Sequence, residues 1–280
     1  MTIDVRQLRP EDVELALAIA ESAYGRPVGA PDMRLRLRLQ PQGWRLAYLD
    51  GSAAGIGGIT NYGSYAVIGL MGTRPELQGR GVGAAILRSL LEAADSWRTP
   101  LIGLDATEAG AALYPRFGFV EADRTSVWNP TGLPVPRAPR AGVEVIGESD
   151  RAGIAALDAR IFGAPRKSLL EVLMDENPGR AFMLRRGGET SAYLVAQRRR
   201  IGPGVAGSRT EIGRLLDRVL AEPFDEAPDM LVPDANRAAP GVLSGLGFRL
   251  ERSLRYMLRG GSTPPGDRSR LLALANFAFG

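Results

Sequence analysis

The segment Gln78-Gly79-Arg80-Gly81-Val82-Gly83-Ala84 carries the sharpest chemical signal in the sequence. Glycines let a backbone turn tightly and aim several N–H groups at one point. The amphipathic helix expected after it adds the positive end of its dipole, so the segment suits a pyrophosphate, with Arg80 adding a charge-assisted contact. A Walker loop would need Gly-Lys-Ser/Thr, and Lys167 is the only lysine in the chain. The dinucleotide fingerprint is formally met by Gly79, Gly81 and Ala84, with Asp105 as its later acid. That fingerprint starts directly at a strand end, however, and here Arg74–Gln78 intervene. A glycine-rich helix start with no ligand is the plainer alternative.

The remaining chemistry is bounded by two zeros. The 280 residues include no Cys and no His. Disulfides, thiolate nucleophiles, the Ser-His-Asp triad and the usual zinc ligands are all excluded. Carboxylates, Tyr, Ser/Thr, Arg, backbone dipoles or a bound cofactor must do the work. Hydrophobic residues make up 45% and charged residues 24%, an ordinary globular balance with room for one or two domains. The net charge is only +4, and nearly all cations are arginines, a bias we assign to genomic base composition. They form no basic stripe with aromatic platforms, so no nucleic-acid partner is expected. The N-terminus lacks the pattern of a signal peptide and no stretch is long enough to span a bilayer, so no membrane partner is expected and the cytoplasm is the predicted location.

These residues need elements to position them. Thr2–Leu8 reads as a strand and Pro10–Ala23 as a helix. Met33–Leu39 alternates like a strand but sits between Pro31 and Pro41, and its pattern decides nothing. Trp44–Leu49, Ala54–Thr60 and Tyr65–Met71 read as strands. Val82, Ile86, Leu87, Leu90, Leu91 and Ala94 then recur at helical spacing to Ser96. Leu101–Ala106 reads as a strand, 109–116 as a helix and Phe119–Trp128 as a strand. Residues 129–141 carry Pro130, Pro134, Pro136 and Pro139 and read as a semi-rigid linker.

After it the pattern begins again. Strands are predicted at 143–146, 181–184, 191–197, 230–232 and 248–258, and helices at 150–162, 167–174, 211–220 and 236–246. An offset of about 138 carries Asp12 to Asp150, Tyr24 to Phe162, Gly25 to Gly163 and Pro27 to Pro165. An offset of about 129 carries Ile86-Leu87 to Leu215-Leu216, Asp105 to Asp234 and Gly118-Phe119 to Gly247-Phe248. Matches in order at two constant offsets predict a duplicated fold.

Residues 65–128 resemble the GNAT superfamily of acyl-CoA-dependent N-acyltransferases. Gln78–Gly83 matches that family's Gln/Arg-x-x-Gly-x-Gly/Ala loop, and Leu113-Tyr114-Pro115-Arg116-Phe117-Gly118-Phe119 matches its aromatic residue followed by a Gly-Phe turn. Leu104-Asp105-Ala106-Thr107 with Gly110 looks like a bacterial subgroup that appends a second, degenerate acetyltransferase-like domain. Ile201-Gly202-Pro203 and Asn236 ahead of Gly247-Phe248 resemble that appended domain. The fold class implied is α/β (α+β): two GNAT-like domains, each a mixed, mostly antiparallel sheet flanked by helices. The boundaries would be a catalytic domain at 1–128, the linker at 129–141, a degenerate domain at 142–260 and a tail at 261–280.

The resemblance implies acetyl-CoA as co-substrate and no metal. Its pantetheine arm would lie between the fourth and fifth strands against backbone groups at Met71 and Thr73. The loop residues Gln78, Gly79, Arg80, Gly81, Val82, Gly83 and Ala84 would hold the pyrophosphate, and Thr107 and Gly110 would flank the arm. A backbone N–H near Met71 would stabilise the oxyanion. Tyr114 would protonate the leaving thiolate; a packed helix aromatic is its other reading. Asp105, on one strand face with Thr107, is the first candidate base, and a carboxylate that caps the next helix or bonds the backbone is the alternative. Asp32, Glu108, a water chain, or a terminal carboxylate after the apolar stretch Leu271–Phe279 are further candidates.

Under the 129 offset, Gly79, Gly81 and Gly83 become Ser208, Thr210 and Ile212, and Tyr114 becomes Leu243. The second half should therefore bind acetyl-CoA poorly. It would shape the acceptor pocket, with Phe162, Tyr193 and Arg198–Arg200 as lining or, more plainly, as core and solvated surface. The expected activity is acetyl transfer from CoA to an amine of a small molecule or peptide, by a monomer or homodimer, in the first half only. A non-catalytic acyl-CoA sensor is the competing class, and transfer onto RNA-linked or peptide acceptors is a third.

Overall fold

The computed structural model describes residues 1–25, 29–134 and 142–280. The first half runs β1 (Ile3–Gln7), α1 (Val13–Tyr24), α2 (Ala30–Leu39), β2 (Trp44–Leu49), β3 (Ser52–Asn61), β4 (Tyr65–Thr73), α3 (Val82–Ser96), β5 (Leu101–Ala106) and β6 (Val120–Pro130). The second runs β7 (Glu144–Val145), α4 (Arg151–Phe162), α5 (Lys167–Glu176), β8 (Ala181–Arg186), β9 (Glu189–Ala196), β10 (Ile201–Val205), α6 (Arg209–Val219), β11 (Met230–Pro233), α7 (Ala239–Gly245), β12 (Phe248–Arg259) and β13 (Leu271–Ala273). This is the mixed α/β architecture expected, with helices flanking two sheets.

The predicted stripe of α3 is the face it buries: Val82, Ile86, Leu87, Leu90, Leu91 and Ala94 pack on the sheet beside Ile68, Ile102 and Leu104. Each fully buried Val, Ile or Leu contributes about 1.5–3 kcal/mol. At three stretches the structure departs from the sequence reading or goes beyond it. Met33–Leu39 is helical, as part of α2, because Met33, Leu35 and Leu37 are buried in a core shared with α1 and the C-terminal segment. The helix predicted over 109–116 is a run of turns ending in a short 3-10 helix, Tyr114–Phe117, because Gly110 and Pro115 interrupt it and Gly118 stops it at φ +82°. The strand β10 was missed, since Gly202, Pro203 and Gly204 mask its pattern. Pro27 and residues 135–141, with Pro136 and Pro139 of the expected linker, lie outside the described residues.

The eight-stranded sheet has the order β1-β2-β3-β4-β5-β12-β6-β11, and the five-stranded sheet β13-β10-β9-β8-β7. The strands are thus exchanged between the halves. β12 comes from the second half, yet pairs antiparallel with β5 through Tyr256↔Asp105 and Met257↔Leu104. β6 comes from the first half and pairs with β11 through Met230↔Trp128 to Pro233↔Thr125. One face of the large sheet packs on α3; the other carries Tyr65, Val67, Leu254 and Tyr256 against α4 and the second half.

Candidate active site at the splayed strands

β4 and β5 run parallel and pair only from Tyr65–Ile68 to Leu101–Leu104. Beyond that point they diverge. A bulge in β4 holds Leu70 at φ +54°, a left-handed conformation that costs of order 1–3 kcal/mol and is seen most often at functional sites. Farther along, the Arg74 N–H bonds Ala54 O on β3. Strand alternation therefore turns the Thr73 and Met71 backbone groups the other way, into the opening. Side chains hold both carbonyls there: the Tyr24 hydroxyl donates to Met71 O at 2.9 Å, and Gln78 Nε2 donates to Thr73 O at 3.2 Å.

The glycine loop stands at the mouth of this opening. Gly79 and Gly81 adopt φ +74° and +87°, and a side chain at either position would be strained. Gly81 caps α3 without any side-chain bond, and no acid occupies the first turn. The amides of Val82, Gly83 and Ala84 precede the first helical bond, from Ala85 N–H to Gly81 O. Donors and dipole thus face outward beside exposed Arg80. Gly83 is an ordinary helical residue whose added Cβ would make only van der Waals contact with Leu113, so two glycines, not three, are demanded by the backbone.

Tyr114 and Asp105 lie on opposite faces of β5. Tyr114 packs in the α3-side core with its ring edge-on to Phe119 at 5.9 Å, and burial pushes its hydroxyl up to about 12. It stays a protonated donor throughout the physiological range. Thr107 caps the turn that leads to it, its Oγ1 accepting from Gly110 N–H at 3.3 Å. Asp105 faces the second half. It lines a narrow cavity of about 20 Å³, roughly one water, with Tyr65, Phe162, Tyr256, Arg268 and Gly280. The residue is half-buried, but its Oδ1 is wholly enclosed and has no hydrogen-bond partner. Burial pushes its carboxyl up to about 6, against the opposing pull of the Arg268 charge and the Thr125 hydroxyl. Among the described residues it neither caps a helix nor bonds the backbone.

The other candidate carboxylates are placed differently. Glu108 is exposed, and its pairing with Arg255 at 3.0 Å holds its carboxyl below the usual range. Asp32 is exposed on α2. Of the expected acceptor lining, Phe162 reaches the Asp105 cavity, whereas Tyr193 is a core residue whose hydroxyl bonds Asp158. Arg199 and Arg200 pair with Glu226 and Asp229.

Several members of the site escaped sequence reasoning. Tyr256 arrives on the exchanged β12 and shares a 2.9 Å hydrogen bond with the Tyr65 hydroxyl. Arg268 lies over the Tyr256 ring at 3.8 Å and bonds Asp123 at 2.7 Å. The segment 276–280 crosses β3 and β4: Thr60 on β3 and Tyr62 in the turn after it donate to the carbonyls of Ala278 and Phe279. Gly69 is required there, because a Cβ would strike Phe277 O at 2.4 Å. No local pattern in these residues signals the site; only the strand order brings them in.

The second half has the same parts, filled from within. Its equivalent helix, α6, opens with Ser208, whose Oγ accepts from Glu211 N–H, while the Glu211 carboxylate accepts from the amides of Gly207 and Ser208. The protein's own side chains thus take up the donors at this helix end. Between β10 and β11, at the place of the first half's opening, lies β13: it pairs with β10, and Leu274 N–H bonds Leu231 O on β11. Asn236, at the 129-offset position of Thr107, donates to Leu271 O on β13.

The profile described as "Acetyltransferase (GNAT) family" matches residues 13–119, and that described as "Acetyltransferase (GNAT) domain" matches residues 154–273. The chain belongs to the GNAT acetyltransferase family. It carries two GNAT domains in tandem and is an acyltransferase, in a family whose acyl donor is acetyl-CoA. No curated protein sequence matches it. Among solved structures, a candidate acetyltransferase from Pyrococcus horikoshii is 27% identical, with a TM-score of 0.85 over 99% of this chain and 96% of that one. GCN5-related N-acetyltransferases from Sphaerobacter thermophilus (15% identity, TM-score 0.66, 94% and 98% covered) and Anabaena variabilis (17%, 0.59, 92% and 72%) share the fold. Among the described residues this GNAT protein has no cluster of carboxylates placed to hold a metal ion, and no helix long and apolar enough to cross a membrane.

Proposed function

We propose that the first GNAT domain, residues 1–128 completed by β12, transfers an acetyl group from acetyl-CoA directly to an amine on a small molecule or peptide. One contrast carries this reading: the α3 N-terminus is uncapped and opens on the β4–β5 divergence, whereas α6 is closed by Glu211 and its opening is filled by β13. Bound acetyl-CoA supplies the activated acyl group. The amides of Val82, Gly83 and Ala84, with Arg80, suit its pyrophosphate. Met71 and Thr73 offer strand-type pairing to the arm, with the Tyr24 and Gln78 side chains giving up their carbonyls, and Met71 N–H is the candidate oxyanion donor.

A thioester held in the opening would meet Tyr114 on one face of β5 and Asp105 on the other. That separation suits direct transfer: Tyr114 O–H gives its proton to the departing thiolate, and Asp105 takes a proton from the attacking ammonium. A carboxyl poised near 6 is ionised at neutral pH yet remains a competent base. Without Cys no acyl-cysteine intermediate can form. Isothermal titration with acetyl-CoA tests the reading. Wild type should bind, and Gly81→Thr, which copies the second-half residue into a φ of +87°, should bind at least about tenfold more weakly. Unchanged affinity in Gly81→Thr would place the cofactor elsewhere.

A further inference from the structure

Among the described residues, Arg166 and Arg268 are buried and satisfied. Arg166 closes on Asp158 at 2.8 Å and on the Gly280 carbonyl; Arg268 closes on Asp123 and Thr125. Arg36, on α2, is not. It keeps only 7% of its surface, and its Nε and Nη1 have no hydrogen-bond partner, so more than half of the guanidinium's donors are unused. The Phe279 ring lies 5.6 Å from its guanidinium carbon and offers a π face but no acceptor. Asp32, one turn earlier, attracts it without forming an ion pair, and the nearby like charge of Arg200 is closed on Asp229.

Such a group is expensive to keep. A buried guanidinium whose Nε and Nη1 lack acceptors loses their hydration and gains nothing there in exchange, and an apolar side chain of equal volume would pack there at lower cost. Its position supplies a reason. Tyr24, which also acts on Arg36 electrostatically, bonds Met71 O in the opening. Arg36 also lies against the ring of Phe279, whose neighbour Gly280 lines the cavity of the unpartnered Asp105 oxygen. A cation with two unpartnered nitrogens and a carboxylate with one unpartnered oxygen thus lie beside the adjacent tail residues Phe279 and Gly280. We propose that Arg36 receives a carboxylate of the acceptor, so that the acceptor class is an amine that also carries a carboxylate, as a free amino acid does. A planar carboxylate matches the guanidinium fork and balances its single charge. The proposal rests on the acyl-transfer reading above.

The test compares the free amino acids with their carboxamides, and with phosphoethanolamine, as acceptors for the full chain and acetyl-CoA. In wild type the best amino acid should exceed its carboxamide about 10- to 100-fold in kcat/KM, mainly through KM. Arg36→Met should erase that preference while leaving kcat on the carboxamide within a few-fold; Arg36→Lys should restore part of it. Equal kcat/KM for acids and carboxamides in wild type, a preference for phosphoethanolamine, or an Arg36→Met enzyme that keeps the preference would overturn the proposal. Should Arg36→Met not fold, Arg36→Lys carries the comparison. Acetyl-CoA titration separates the two readings. If no cofactor binds, the acyl-transfer reading fails by itself, and the melting-temperature shift given by amino acids but not by carboxamides, reduced in Arg36→Lys and absent in Arg36→Met, still decides the role of Arg36.

Discussion

Replacing Asp105 by Asn changes one charge and no volume, and its effect on stability should depend on pH in a defined direction. Burial raises this carboxyl from 3.8 to about 6. Below pH 3.8 it is protonated in folded and unfolded chains alike, and ionisation contributes nothing. Between 3.8 and about 6 the unfolded chain loses the proton while the folded one keeps it, so wild-type stability falls as pH rises. Above about 6 the full penalty is in place. A change of this size corresponds to about 3 kcal/mol, an upper bound because the residue is only half-buried. Asp105→Asn escapes the penalty and should melt about 5–10 °C above wild type at pH 8, with the gap closing towards pH 4. Thermal or denaturant unfolding of both proteins across pH 4–8 measures it. A gap that is independent of pH, or that grows as pH falls, would refute the burial argument. In the same window, the wild-type kcat/KM should rise with pH through about 6, and that limb should vanish in Asp105→Asn.

Tyr114→Phe should lower kcat by about 10²–10⁴ while leaving acetyl-CoA affinity within a few-fold, which pre-steady-state thiol release and calorimetry together distinguish. Glu211→Ala removes the carboxylate half of the α6 capping box and should cost about 1 kcal/mol in urea unfolding, yet should not create a second acetyl-CoA equivalent in titration, because β13 still fills that opening.

Much of the candidate site was legible because its signals are local. The loop glycines, the α3 stripe and the 2-residue period of Leu101–Ala106 are short-range patterns, and the structure has Asp105 and Tyr114 on the two faces of the strand that this period defines. What was not legible depends on distant chain. Met33–Leu39 alternates like a strand, but α1 and residues 275–279 bury it as a helix, tertiary context overriding the pattern. Nothing local to β12 predicts that Tyr256 and Arg268 will face Asp105, since its place beside β5 is set by pairing across about 150 residues of sequence. β13 is three residues long, and its role comes from the two strands it lies between. Arg36 looks in sequence like one cation of an alternating run, and only burial sets it apart from Arg34 and Arg38.

The exchange of β6 and β12 also sets a problem in time. On the ribosome, β5 emerges about 140 residues ahead of β12, and at roughly 5–20 residues per second its open edge waits for about 7–30 s. During that interval β6 is the nearest strand in sequence, and it is free to dock against the edge that β12 will later own. The finished order requires β6 to be displaced or held away until β12 can insert between it and β5. A nascent chain of this protein therefore passes through a stage at which the native neighbour of its central strand does not yet exist, and the unpaired edge of β5 is the place where a chaperone, or another copy, would attach.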